Sequence, residues 1–218
     1  MTTPITSLQK EYIRLLDSSA AAMTIAHADV APGAFVGVVW QNLRFAACDF
    51  SGQDSIRLAS MSNCTFVDCR FLGPNHDFGV MRQVSFRQCR SIGRSIFGGR
   101  DGSSGVLFDG CDFSGGGSAP AAFEGIGCTG EVVFRNCTGR GDVLVAGTRL
   151  TVENCQFDDM TFVIGRQRRR GVPLAALVHI DNSQGTGVWR MLESRMKTGR
   201  IRNSSIEQIV NDGFERET

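Results

Sequence analysis

The sequence predicts an all-β fold: a right-handed parallel β-helix solenoid of about eight turns with an N-terminal capping α-helix. Three observations carry that prediction. A small anchor residue recurs at Cys48, Cys69, Cys89, Cys111, Cys137, Cys155, Ser183 and Ser204, at intervals of 21, 20, 22, 26, 18, 28 and 21 residues. A period near twenty belongs to stacked repeats, each too small to bury a core alone. Apolar residues alternate with polar ones ahead of each anchor, which is the period of a strand with one buried face. Glycine supplies 26 of 218 residues, against a usual share of roughly 7%, so the chain turns often.

The repeat frame sets the core. Three residues before the anchors stand Phe45, Phe66, Phe86, Phe108, Phe134, Val152, Ile180 and Ile201. Five before them stand Leu43, Cys64, Val84, Val106, Val132, Leu150 and Val178, with Gly199 as the only break. The anchor and the residue two beyond it (Phe50, Phe71, Phe113, Phe157, Ile206) point inward after a corner. Asn136, Asn154, Asn182 and Asn203 precede the last four anchors. Asparagine tolerates the left-handed conformation of a corner, and its amide can bond to a stacked amide above or below. Gly52, Gly73, Gly93 and Gly115 are assigned to the opposite corners.

The stretch LTVENCQF resembles the repeat of right-handed β-helix proteins of the pectin-lyase-like superfamily. CTFVD followed by CRFLG, and LRFAA followed by CDFSG, also resemble the five-residue units of pentapeptide-repeat proteins. That second family builds a square coil with a nearly strict twenty-residue turn, from which intervals of 26, 18 and 28 depart. The irregular three-sided coil accommodates them. Either resemblance implies a stacked parallel coil over roughly residues 43 to 206, and neither implies a function.

The ends and insertions follow from what the frame leaves over. Residues 1–34 are assigned to a helical cap, with Leu8, Tyr12, Leu15 and Leu16 on one face of a helix over residues 6–22. The β-helix occupies 35–218, with a strand at residues 35–40 and excursions at 165–173 and 187–199. In the second excursion Trp189, Leu192 and Met196 have helical spacing. Ile206, Ile209 and Val210 suggest a closing helical turn. Residues 166–218 carry a net charge of +4, and the rest of the chain −3.

Composition excludes some functions. A net charge of +1 argues against a general nucleic-acid binder and against an acidic mimic of DNA. The chain has no apolar run long enough to cross a membrane as a helix. Its N-terminus lacks the basic-then-apolar pattern of a secretory leader, so a cytoplasmic protein with reduced cysteines is expected. The anchor cysteines face the core, where cysteine behaves as a small hydrophobe. Neither cofactor nor metal is expected, because no Cys/His spacing matches a metal site.

An enzyme is the less favoured reading. His27, His76 and His179 have no nucleophile in register with them, and Asp49, Asp112, Asp158 and Asp159 form no acidic cluster. The favoured reading is a protein-binding module with an immunity, regulatory or effector role. Its alternatives are a carbohydrate-active or acidic-glycan-binding β-helix and a self-assembling solenoid, with a homodimer compatible with each. Two candidate surfaces serve the favoured reading. One is the basic excursion with Arg166, Arg168, Arg169 and Arg170, followed by Trp189. The other is the outward row Arg44, Thr65, Ser85, Leu107, Val133, Thr151, His179 and Arg200, in which Leu107 and Val133 make an apolar centre with a polar rim.

Overall fold

A computed structural model of the chain describes residues 7–8, 23–30, 36–50, 56–71, 76–91, 94–95, 103–113, 122–164, 168–169, 172–173, 175–192 and 195–212. Among them there is no helix. Among the described residues one sheet holds 19 strands, and every strand pairing is parallel except one small hairpin. Parallel neighbours must be joined by a crossover, and here the crossover is the rest of each coil. The fold is a parallel β-solenoid.

Several ladders run along it. The first stacks Met23–Ala26, Leu43–Ala46, Thr65–Val67, Val80–Arg87 and Ser104–Asp109. It continues through residues 132–135, 149–153, 177–181 and 198–202. The second lies just beyond the anchors, from the Asp49–Arg70 bridge through Arg70–Phe71, Arg90–Ser91 and Asp112–Phe113 to residues 205–206. The third follows the second and stacks residues 94–95, 122–125, 143–145, 162–164, 189–191 and 209–211. Another, just ahead of the first, stacks residues 38–41, 58–62 and 80–82.

The expected inward columns form the core. Phe45, Phe66, Phe86, Phe108, Phe134, Val152 and Ile180 are buried. Consecutive rings of the Phe45–Phe66–Phe86–Phe108–Phe134 column lie 4.8–5.0 Å apart and within 15° of parallel. The backbone spacing of a sheet, about 4.8 Å, sets that offset-stacked separation. Phe50 and Phe71 stack likewise at 4.9 Å in the second ladder. Trp40, Leu58, Met61, Phe78 and Met81 complete the core beside these columns.

Corners follow residue chemistry. His27, Asn42, Ala47, Asn63, Asp68, Gln83, Gln88, Asn136, Asn154, Asn182 and Asn203 all have φ between 47° and 56°. The four predicted asparagines are among them. Amides and carboxylates there bond across rungs: Asn63 Nδ2 to Asn42 Oδ1 at 3.2 Å, Asn136 Nδ2 to Asp109 Oδ1 at 3.0 Å, and Asn154 Nδ2 to Asn136 Oδ1 at 3.4 Å. Gly79, with φ +63°, is required on a second count, since a Cβ there would run into the main-chain carbonyls of Leu58 and Ala59. Gly52, Gly73, Gly93 and Gly115 lie outside the described residues.

Four expectations are corrected or narrowed. Ser7–Leu8, assigned to a helix by sequence, are extended and pair in parallel with Asp29–Val30; the remainder of that helix lies outside the described residues. Residues 23–30, assigned to the cap, form a rung with Ile25 and Ala28 buried. Residues 187–199 are not a helical excursion, because Gln184–Leu192 and Arg195–Arg202 are ladder strands. Ser205–Asp212 is a strand rather than a closing helical turn. In both late segments, main-chain bonds to neighbouring rungs override a chance three-to-four spacing of apolar residues.

Candidate functional site

The outward side of the first ladder is the best-defined surface. Its register stacks Thr24, Arg44, Thr65, Ser85, Leu107, Val133, Thr151, His179 and Arg200 in one column. Buried residues on both sides along the strand, such as Val106 and Phe108 around Leu107 or Val178 and Ile180 around His179, dictate that direction. Leu107 and Val133 are half-buried, while Arg44, His179 and Arg200 are exposed. With about 4.8 Å per rung, the column from Arg44 to Arg200 extends ~34 Å.

Beside it runs a charged column: Arg87, Asp109, Arg135, Glu153, Asp181 and Arg202 in successive rungs. Opposite charges across adjacent parallel strands attract. Arg87 Nη1 lies 4.0 Å from Asp109 Oδ2, and Arg135 Nε donates to Glu153 Oε2 at 2.9 Å. Arg200 crosses from the first column to donate to Asp181 Oδ2 at 2.8 Å. Such exposed pairs add little stability; their effect here is to hold side-chain positions on the surface.

Between the two columns lies a groove of about 680 Å³, lined by residues that include Arg44, Thr65, Ser85, Arg87, Gln88 and Asn136. The Ser85 hydroxyl donates to Thr65 Oγ1 at 3.2 Å. Its lining therefore offers hydroxyls, amides, two guanidiniums and the Asp109 carboxylate that faces Arg87. The arrangement suits an extended polar group that can meet charges of both signs, and Leu107 and Val133 in the adjoining rungs add an apolar contact.

The other predicted residues are dispersed. Arg168–Arg169 pair antiparallel with Val172–Pro173 in a hairpin separate from the main sheet. Arg166 and Arg170 lie outside the described residues. Trp189 belongs to the third ladder, between Phe162 and Ile209, and so is not part of the column of Leu107, Val133 and His179. Sequence reasoning missed Arg87, Gln88, Asp109 and Asn136. Their signal is visible once repeats are aligned, because the position two before the anchor reads Arg, Asp, Arg, Glu, Asp, Arg from Arg87 to Arg202.

The anchor cysteines are enclosed and unbridged. Cys69, Cys89, Cys111 and Cys137 each direct Sγ to the carbonyl of Phe45, Phe66, Phe86 and Phe108, at 3.4–3.6 Å. Donating to a carbonyl requires the proton, and an apolar surround disfavours thiolate. Burial likewise pushes the Cys64 thiol up from its ordinary range. These are packing residues, poorly suited to nucleophilic or metal chemistry. Among the described residues no His, Cys, Asp and Glu side chains gather into a metal-holding group. None of these residues forms a helix long and apolar enough to cross a membrane. Comparison with known proteins finds no matching family model, curated protein or solved structure.

Proposed function

We propose that this protein is a non-enzymatic binding module that neutralises or regulates a protein partner, docking it on the outward face of the first ladder. The carrying observation is the half-buried pair Leu107 and Val133, flanked by hydroxyls in its own column and by ion pairs in the next. An apolar centre with a polar rim is the anatomy of a protein interface. Strands bonded on both sides lose little freedom on binding, so little of the contact energy is spent on ordering.

Capture from host lysate on the immobilised full chain tests the reading. Wild type is expected to retain one stoichiometric protein, and the double variant Leu107→Ser, Val133→Thr is expected to release it without loss of fold. Replacing Arg168, Arg169 and Arg170 by serine should leave capture intact; loss there alone would move the site to the hairpin. No retained protein would overturn the proposal.

A second reading rests on the groove. Arg44 and Arg87 beside the hydroxyls of Thr65 and Ser85 fit an acidic glycan. A glycan array on the same chain, with Arg44→Ser and Arg87→Ser as controls, separates it from the first reading. For the scaffold, we infer a right-handed coil of about eight turns, one per anchor, since parallel crossovers take that hand almost without exception. Left-handed corners five residues apart over residues 42–110 favour the pentapeptide-like resemblance there.

A further inference from the structure

We propose that two copies of this chain pair through the outward face of the first ladder, antiparallel, about a two-fold axis between Leu107 and Val133. This rests on the reading of that face as a protein-docking surface and adds how the surface is regulated. A second copy masks it, so partner and second copy exclude one another.

The order of charges carries the inference. Residues two before the anchors face outward like those four before them, because strand side chains alternate. From rung to rung they read Arg87, Asp109, Arg135 and Glu153, alternating in sign. All four are exposed or half-buried, and the contacts of Arg87 with Asp109 and of Arg135 with Glu153 hold them in place. An axis along the strand direction, between the Asp109 and Arg135 rungs, sets Asp109 on the second copy's Arg135 and Arg87 on its Glu153. Symmetry makes each contact twice. Moving the axis by one rung either way sets Asp109 on Asp109 or Arg135 on Arg135. Parallel copies would set each charge of the row on its own kind.

The neighbouring column agrees with the same axis. Leu107 faces the second copy's Val133, and Ser85 faces its Thr151, so the apolar centre closes on itself and hydroxyl meets hydroxyl. One rung further out Thr65 meets His179 and Val67 meets Asp181. Arg44 then comes opposite Arg200, whose guanidinium Asp181 already engages at 2.8 Å. The operation keeps the strands of the two faces aligned, a common way for sheets to pack, about 10 Å apart.

Sedimentation of the purified full chain at low salt, over a range of concentrations, is the test. Wild type is expected at twice 23.7 kDa. Two half-exchanges each keep an internal pair but oppose like charges at the axis: Arg87→Asp with Asp109→Arg, and Arg135→Glu with Glu153→Arg. Each alone should run at the single mass with unchanged circular dichroism, since exposed pairs contribute little to folding. Mixed in equal amounts they should return to the double mass. So should a chain carrying all four exchanges, whose row alternates again. A monomeric wild type, a half-exchange that still dimerises, or a mixture that stays monomeric overturns the proposal. If a half-exchange loses its fold, Val133→Lys decides: it sets a charge on the second copy's Leu107 and should give the single mass. The docking reading fails separately, when a dimeric wild type retains nothing from lysate. A captured partner bound to two paired copies overturns the masking.

Discussion

The rungs up to Phe113 and those after Ala122 share one frame but turn their corners differently. In the earlier part, left-handed residues come in pairs five apart: Asn42 and Ala47, Asn63 and Asp68, Gln83 and Gln88, Gly105 and Gly110. In the later part, among the described residues, positive φ is found at Asn136, Asn154, Asn182 and Asn203 and at Gly187 (φ 91°), and no left-handed residue stands six before an anchor. The positions aligned with Asn42, Asn63, Gln83 and Gly105 are there Glu131, Arg149, Leu177 and Thr198, all within strands. Asn and Gly enter the left-handed region at low cost, and a branched residue such as Thr does not. Strands accordingly lengthen to 14 and 16 residues in Ala122–Arg135 and Thr138–Glu153. The cores diverge as well. Stacked phenylalanines fill the earlier part, and Val152 and Ile180 continue the same column. One register thus supports two kinds of coil, with corner residues deciding where the chain bends and core residues deciding how it packs.

The sharpest break in the comparison is a charge at its midpoint. Phe108→Asp would bury an unpaired carboxylate between Phe86 and Phe134, and loss of the cooperative fold by circular dichroism is expected. A folded variant would disprove the shared register. Next in size is truncation on either side. Phe66→Ala should lower unfolding free energy in urea by about 3–5 kcal/mol, and Val152→Ala by about 2 kcal/mol. Equal losses would mean that aromatic stacking does not distinguish the two parts.

Anchors give a third contrast. Ser183 Oγ donates to Asp181 O at 2.8 Å and accepts the N–H of Cys155 at 3.1 Å. Ser183→Ala leaves that buried N–H unsatisfied and should cost about 1–3 kcal/mol. Cys89→Ala in the earlier part loses mainly packing, so a smaller loss is expected by the same measurement. The smallest effect concerns Ala47, whose φ of 50° is unfavourable for alanine. Ala47→Gly relieves that strain at some cost in chain entropy, and a net gain of about 0.5 kcal/mol in urea is expected. A loss would show that the corner tolerates Cβ without strain.

Much of the core was legible because stacking repeats one environment many times. Phe45, Phe66 and Phe86 occupy equivalent sites, so the same residue recurs and the period declares itself. The rung at residues 23–30 escaped notice because its anchor position is Ala28, which lacks the Cys or Ser mark, although Met23, Ile25 and Val30 keep the spacing. Trp189 misled for a different reason. Its three-residue distance from Leu192 suits a helix, but Phe162 and Ile209 in adjoining rungs hold that segment extended. The groove was only half readable: Arg44, Thr65 and Ser85 lay in the predicted row, while Arg87 and Asn136 belong to neighbouring columns.

Sequence alone determined the solenoid period, the inward columns and the left-handed asparagine corners, because these depend on residue types repeated at fixed local spacing. Tertiary structure alone decided which column sits beside which, that Arg87 faces Asp109 across a rung, and that Ile25 is covered while Ile201 lies open. Those facts depend on stacking of residues about twenty positions apart, which local spacing does not encode.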